Sequence, residues 1–219
     1  MSSRALNRNK PLYFQAYLSN ETVDLARIYD PDINICIVER QVNESVNGFV
    51  GHLLKRPTSV SFVESFEFAS FNFFSLLPDA EQLPGYQDFC KDVARLVGLY
   101  CDLFDLKRVG LRLRTLDHAM CPKFHFDSVT CRLICTYGGT GTQWLEDAYI
   151  DRRKLGTGSG GLCDEGSGLI LDPEAIQTMP TYAIGLFKGS RWEGNELHGA
   201  VHRSPQIQSP RLLLTLDFG

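Results

Sequence analysis

The sequence predicts an α+β protein whose C-terminal half is built from short β-strands. From Arg108 onwards, apolar and polar residues alternate with a period of two, which is typical of half-buried strands. Turn residues separate these strands and no helical pattern lies between them, so a sandwich or barrel is indicated. The region before Arg108 mixes helical and strand patterns. We therefore predict two regions, residues 1–107 and 108–219, and expect one compact unit because no linker-like stretch divides them.

The N-terminal region is predicted to contain both helices and strands. Residues 34–41 and 60–68 have strand-like patterns. A helix is predicted over residues 43–54, with Asn43 as its N-cap. The clearest helix spans about residues 85–106, where apolar side chains recur at three- and four-residue spacing. We expect this long helix to pack its apolar face against the sheet that follows.

The C-terminal region is predicted to contain a series of strands separated by turns such as Gly138-Gly139 and Ser204-Pro205. The predicted strands are residues 109–116, 129–137, 143–145, 168–171, 182–187, 199–202 and 211–218.

Composition and charge exclude several classes of protein. With 43% hydrophobic and 22% charged residues, the 219-residue chain is globular rather than disordered. A net charge of −4 without a basic cluster makes a nucleic-acid partner unexpected. No window approaches the roughly 18 apolar residues of a membrane span, and no signal peptide is expected. Seven cysteines without a CxxC pair indicate a reduced, cytoplasmic protein.

One constellation of residues implies a chemistry. In an extended segment, the side chains of a His-x-Asp pair lie on the same face, so His125 and Asp127 can bind one metal ion together. His202, from another predicted strand, can complete a 2-His-1-carboxylate triad, which leaves the opposite face of the metal open. Alternatively, His125 and Asp127 form a hydrogen-bonded pair without metal, and His202 is unrelated to them.

Two further residues allow a different metal site. His118 and Cys121 precede His125 and Asp127 at a spacing that also permits a tetrahedral zinc site. Four protein ligands would close that site and make it structural or metal-storing. The two alternatives differ in whether His118 and Cys121 face the His125–Asp127 pair.

The C-terminal half resembles the Fe(II)/2-oxoglutarate-dependent dioxygenases. His125, Asp127, His202 and Arg211 match, in order and rough spacing, the three metal ligands and the basic residue of the last strand in that superfamily. The resemblance implies a double-stranded β-helix (jelly-roll) core over residues 108–219, Fe(II) on the triad and 2-oxoglutarate as co-substrate. Arg211 would then pair with the remote carboxylate of 2-oxoglutarate, and a small-molecule substrate would be hydroxylated.

Two other residues are candidates for binding the co-substrate carboxylate. Arg132 lies within an apolar strand and needs a partner if it is buried; a bound carboxylate would be one. Tyr137 could donate a hydrogen bond to the same carboxylate. Arg211 could instead be a surface charge at the start of its strand.

Residues 121–127, 136–137 and 142–144 also resemble an uncharacterised bacterial family of unknown function. Two other functions stay open at this point. One is a zinc-binding protein with the same fold and no oxygenase activity, and the other is a cupin-like binder of small molecules without metal.

Overall fold

The computed structural model describes residues 13–219 and has the predicted α+β architecture. Its strands are β1 (Gln15–Ser19), β2 (Ile33–Val38), β3 (Ser61–Glu67), β4 (Arg108–Leu116), β5 (Cys131–Gly138), β6 (Gln143–Leu145), β7 (Gln177–Thr178), β8 (Ile184–Lys188), β9 (Val201–Arg203) and β10 (Arg211–Phe218). Its α-helices are α1 (Glu44–Leu54), α2 (Tyr86–Phe104) and α3 (Asp164–Ser167). Short 3₁₀ helices cover Thr22–Tyr29, Phe68–Ser70, Phe73–Ser75, Pro78–Ala80, Asp147–Tyr149, Arg152–Lys154, Gly156–Ser159 and Pro173–Ala175.

The strands form two sheets. The large sheet has the order β1-β2-β8-β5-β10-β4-β3, and the small sheet has the order β7-β6-β9. Every pairing between these strands is antiparallel except that of β1 with β2, which is parallel. Strands from the N-terminal region therefore extend the large sheet at both ends, with β2 beside β8 and β3 beside β4.

The large sheet packs helices on one face and the small sheet on the other. Alternation along β2 illustrates this, because Cys36 and Val38 belong to the main core with α1 and α2. Ile35 and Ile37 point the other way and pack with Trp144 of the small sheet. The period-two pattern of the sequence thus has a direct structural cause, since successive side chains of a strand face opposite sides.

The long helix α2 forms where its apolar spacing predicts it. Its buried face, including Phe89, Val93 and Leu96, lies in the main core. Gly85 starts the helix at φ 85°, and a Cβ atom there would lie 2.2 Å from the carbonyl oxygen of Ser45. Glycine is therefore required at this position, where α2 passes close to α1. The predicted N-cap of α1 is also present, since the Asn43 side chain accepts a hydrogen bond from the backbone N–H of Val46.

The strand predicted at residues 168–171 is absent from the structure. This segment follows α3 and makes only a single bridge, between Ile150 and Ile170. Gly168 has a φ of 76°, which ends α3 in a left-handed conformation, and Leu171 is exposed. Alternation in so short a segment does not specify a strand unless a neighbouring strand pairs with it.

The sequence analysis also missed β1 and β7. β1 is an edge strand that pairs only with β2, and its exposed and half-buried residues do not alternate. β7 has two residues, both exposed. Pairing with a neighbour, rather than any local pattern, creates both strands.

No helix within residues 13–219 is both long enough and apolar enough to cross a membrane. All seven cysteines are free thiols in the structure.

Candidate metal centre

The structure brings the three predicted metal ligands together. His125 lies opposite His202 in an isolated antiparallel bridge, with backbone hydrogen bonds of 3.0 and 2.9 Å between them. Asp127 follows in the same segment as His125. One ligand atom from each of the three side chains lies within 4.8 Å of the other two. The bridge therefore joins two remote parts of the chain into one candidate site.

Both histidines are oriented for metal binding through Nε2. The Nδ1 atom of His125 lies 2.9 Å from the carbonyl oxygen of Lys123, and that of His202 lies 3.0 Å from the carbonyl oxygen of Ala200. Because a carbonyl can only accept, each Nδ1 carries the proton and each neutral ring presents the lone pair of Nε2. The two Nε2 atoms lie 3.8 and 3.3 Å from the Asp127 carboxylate. Two lone pairs and a carboxylate converging in this way fit a cation between them.

The surroundings of Asp127 and His125 favour the deprotonated forms of these two side chains. Burial opposes ionisation of Asp127, but its contact with His202 and the positive charge of Arg132 outweigh this effect. The pKa of the Asp127 carboxyl therefore lies well below its usual range. Burial, followed by the proximity of the His202 ring, lowers the pKa of His125. Both shifts favour the forms that bind a metal.

Arg132 holds the Asp127 carboxylate in place. Its Nη1 donates to Asp127 Oδ2 at 2.7 Å, while its Nε and Nη2 each donate to the carboxylate of Asp217 at 2.8 Å. The expectation that Arg132 binds the co-substrate carboxylate is therefore not met, since two protein carboxylates already occupy its guanidinium group. Asp217, which the sequence analysis missed, is the partner that a buried arginine requires.

Arg211 has no such acidic partner. It is 1% exposed, and its Nη2 donates to the hydroxyl oxygens of Thr136 and Thr142 at 3.0 and 2.7 Å. Its Nε and Nη1 atoms are buried without a hydrogen-bond partner among residues 13–219. Burial lowers the pKa of Arg211 to about 10, so the side chain is still a cation at neutral pH. A buried and unpaired cation is costly, which fits the binding of an anion here.

One pocket of about 220 Å³ lies between the two sheets, beside the candidate metal ligands. His125, His202, Arg132 and Arg211 all line it, together with apolar residues of the large sheet such as Leu213. The alternative that Arg211 is a surface charge is therefore wrong. The pocket therefore combines a candidate metal site with a buried cation. Its volume lies below the roughly 300 Å³ at which pockets for drug-sized ligands begin, so it suits a smaller molecule.

Tyr137 lies on the opposite face of the large sheet. Its hydroxyl group donates to Asp92 of α2 at 2.6 Å, within the main core. The prediction that Tyr137 contacts the co-substrate is therefore wrong. Adjacent strand residues face opposite sides, so Thr136 points to Arg211 and Tyr137 points to the helices.

The structure does not bring His118 and Cys121 into the ligand cluster. His118 is exposed and pairs with the carboxylate of the neighbouring Asp117. Cys121 is exposed and lines the pocket. Within the described part of the chain, the cluster consists of His125, Asp127 and His202 alone. The four-ligand zinc site accordingly lacks two of its four members.

Comparisons with solved structures show that the fold is shared with Fe(II)/2-oxoglutarate oxygenases. The 2-oxoglutarate binary complex of dioxygenase for auxin oxidation 1 from Arabidopsis thaliana has a TM-score of 0.56 at 10% identity, covering 94% of this chain and 92% of that chain. A full-length protein from Neurospora crassa, crystallised in complex with alpha-KG, has a TM-score of 0.51 at 10% identity, covering 100% of this chain and 88% of that chain. At these identities the likeness establishes the fold.

The sequence itself matches no curated protein. Residues 19–217 match the family described as "Protein of unknown function (DUF1826)". This match spans most of the chain, so the protein belongs to the DUF1826 family.

Proposed function

We propose that this protein is an Fe(II)- and 2-oxoglutarate-dependent oxygenase that hydroxylates a small molecule. The observation that carries the proposal is Arg211, a buried cation without an acidic partner that lines the same pocket as His125 and His202 of the candidate triad. A metal ion bound by the triad, with an open face, accounts for the two histidines and Asp127 but leaves Arg211 unpaired. A dicarboxylate that binds the metal at one end and Arg211 at the other accounts for the triad and for Arg211.

We also infer that the strands from Arg108 onwards form a double-stranded β-helix. Four of them, β8, β5, β10 and β4, are consecutive and antiparallel in the large sheet. Facing them are β7, β6 and β9, and the His125 bridge adds a fourth segment beside β9. Two antiparallel layers of four segments support this assignment, with β1, β2, β3, α1 and α2 as N-terminal additions.

Each residue of the site has a defined part in this proposal. His125, Asp127 and His202 would hold Fe(II) from one face, and Arg132 fixes the orientation of the Asp127 carboxylate. When bound, Fe(II) would activate O₂, and O₂ would take two electrons from the decarboxylation of 2-oxoglutarate to succinate and two from the C–H bond that is hydroxylated. Arg211, already oriented by Thr136 and Thr142, would donate a charge-assisted hydrogen bond to the remote carboxylate from one of its two free nitrogens, Nε or Nη1. Both structural neighbours reported above were solved with this co-substrate bound, which agrees with the proposal.

The test is an anaerobic titration of the metal-free protein with Fe(II) and then with 2-oxoglutarate. Chelation of the metal by the keto acid produces a weak visible charge-transfer band. We expect this band in the wild type and its loss in the His125→Ala variant. The exposed His118 provides a matched control, and His118→Ala should keep the band because this side chain lies outside the cluster.

Two results would overturn the proposal. The first is a wild-type protein that binds Fe(II) and gives no band with 2-oxoglutarate. The second is tight zinc binding that is lost in Cys121→Ser, which would indicate the closed zinc site instead.

A further inference from the structure

The same pocket contains a second arginine without an acidic partner, Arg114 of β4. Its backbone lies opposite Leu213 of β10, and both residues line the pocket. The Nε atom of Arg114 is buried and has no hydrogen-bond partner in the described part of the chain. No carboxylate among residues 13–219 forms an ion pair with it, since none lies within 4.0 Å of its guanidinium nitrogens. A buried guanidinium N–H without an acceptor costs free energy unless a ligand supplies one.

Arg114 differs in this respect from the other arginines of the pocket. Apart from Arg211, the others are each paired with protein carboxylates: Arg112 with Asp217, Arg132 with Asp127 and Asp217, and Arg203 with Asp164 and Glu165. The absence of an acid at Arg114 is therefore a local feature and does not reflect a shortage of acids around the pocket.

The pocket stays positively charged after metal and co-substrate have bound. Two carboxylates, Asp127 and Asp217, balance Arg132 and Arg112. Asp164 and Glu165 together exceed the charge of Arg203 by one negative charge. The two carboxylates of 2-oxoglutarate balance a divalent metal, so Arg211 and Arg114 leave the pocket and its ion pairs with an excess of one positive charge. A cationic pocket with low-polarity walls concentrates anions and favours their binding.

Resting on the oxygenase proposal, we infer that the substrate is a small organic anion, a carboxylate or a phosphate monoester, whose charge binds to Arg114. The free Nε and an adjacent Nη of this arginine offer the two parallel donors that such a group accepts. Arg211 is less suited to the substrate, because it is 1% exposed and two threonine hydroxyls already hold it at the inner wall. Arg114 is half-buried, so a molecule entering from solvent can reach it.

The inference is tested by calorimetric titration of the protein loaded with Mn(II) and 2-oxoglutarate under anaerobic conditions. The probes are matched pairs of an anion and a neutral counterpart: benzoate with benzamide, phenyl phosphate with phenol, and hexanoate with hexanamide. We expect at least one anion to bind the wild type tenfold or more tightly than its neutral counterpart. Arg114→Met should abolish that preference, and Arg114→Lys should restore part of it.

The control variant is Arg108→Gln, which removes the same charge from the same strand at an exposed position outside the pocket. It should keep the preference for the anion, and all three variants should bind 2-oxoglutarate as the wild type does. Equal affinities for anions and neutral counterparts, after normal loading, would overturn this inference alone. So would a loss of 2-oxoglutarate affinity in Arg114→Met, because Arg114 would then belong to the co-substrate site. A wild type that does not load at all would overturn the oxygenase proposal and this inference with it.

Discussion

At the scale of single residues, the site is defined by which buried charges have partners. Arg132 and Arg211 both line the pocket, and both lie on the face of the large sheet turned towards the small sheet. Arg132 is saturated by Asp127 and Asp217, so it acts on the structure of the metal site. Arg211 keeps two donors free, so it is available to a ligand. Arginine therefore has a structural role at position 132, and we propose that it has a binding role at position 211.

Replacing Arg211 with methionine should stabilise the ligand-free protein and abolish co-substrate binding. The change removes a buried cation with two unpaired donors, an arrangement that costs roughly 1–3 kcal/mol. Urea denaturation should therefore give a free energy of unfolding higher by about this amount. Titration with 2-oxoglutarate should give an affinity at least tenfold lower. An unchanged affinity would contradict the role given to Arg211.

The stability gain of Arg211→Met should shrink as the pH rises through about 10. Burial lowers the pKa of Arg211 to about 10 in the folded protein, so the unfolded chain binds more protons above that pH. The wild type then gains stability with rising pH, while the variant lacks this group. Urea denaturation of both proteins at pH 8 and pH 10.5 measures the difference. If the stability advantage of Arg211→Met over the wild type grew with pH, burial of the charged Arg211 could not be its cause.

Replacing Arg132 with glutamine should weaken metal binding without removing a ligand. Asp127 would lose the donor that fixes its carboxylate, and changes of this kind typically lower metal affinity about 10–100-fold. Calorimetric titration with Mn(II) measures the effect. Arg153→Gln is a suitable control, because Arg153 is exposed and pairs only with Asp151 at the surface. Equal affinities for the two variants would show that Asp127 needs no support.

At the scale of elements, the strands position the site by alternation and by close backbone contacts. Thr136 and Tyr137 are neighbours on β5, yet one contacts Arg211 and the other contacts Asp92 of α2. After β8, Gly189 passes beside the segment that carries Asp127, and the backbone N–H of Ser190 donates to the Asp127 carbonyl at 2.9 Å. Asp127 is thus held by both its side chain and its backbone.

The Tyr137→Phe variant should lose stability and keep its metal and 2-oxoglutarate affinities. A hydrogen bond to a charged group such as Asp92 contributes roughly 1.5–3 kcal/mol, and the remaining partner of Asp92, Arg40, stays in place. Urea denaturation measures the loss, and calorimetry with Mn(II) and 2-oxoglutarate measures the affinities. A selective loss of 2-oxoglutarate binding would return Tyr137 to the co-substrate site.

The Gly189→Ala variant should weaken metal binding through the backbone. A Cβ atom at this position would lie 2.1 Å from the carbonyl oxygen of Val129 and 2.7 Å from that of Asp127, so the ligand segment must shift. Gly51→Ala provides the control, since Gly51 lies in α1 with open space around it. That control should be more stable by roughly 0.5–1 kcal/mol and bind Mn(II) normally. Normal Mn(II) binding by Gly189→Ala would contradict the proposed contact.

At the scale of the whole molecule, one sheet joins the two halves of the chain. β2 and β3 from the N-terminal region hydrogen-bond with β8 and β4 from the C-terminal region. The ion pair between Arg40 and Asp92, at 2.6 Å, adds a further link between the segment after β2 and α2. These contacts cross between the two regions. If either region unfolded, the strand edges and apolar surface of the other would become exposed to solvent.

A single cooperative unfolding transition that responds to metal is therefore expected. Circular dichroism and tryptophan fluorescence should give coincident urea curves, because Trp144 and Trp192 pack in different cores of the molecule. Free Mn(II) at 100 times its dissociation constant should raise the free energy of unfolding by about 2.7 kcal/mol. Two separate transitions, with only one shifted by Mn(II), would indicate regions that unfold independently.

The elements with strong periodicity and the three side chains of the candidate metal site are predictable from the sequence alone. The helix α2 and the strands β4 and β10 follow from the spacing of their apolar residues, because burial of one face leaves a regular pattern. His125, Asp127 and His202 were identified from residue type and spacing, since a metal site requires particular ligand atoms. Arg211 was identified through the family resemblance, and its burial supports the proposed role.

Which charges are paired and which face each side chain occupies depend on contacts between remote segments of the chain. Asp217 lies far along the chain from Arg132, so no local pattern could indicate that it neutralises this arginine. Tyr137 was assigned to the wrong face because a shift of one residue moves a strand side chain across the sheet. The sequence pattern marks Arg114 only as a polar position of an alternating strand, and the structure shows that its buried Nε has no hydrogen-bond partner. Residue type and spacing specify which atoms can bind a ligand, whereas the packing of remote segments determines which of those atoms stay free.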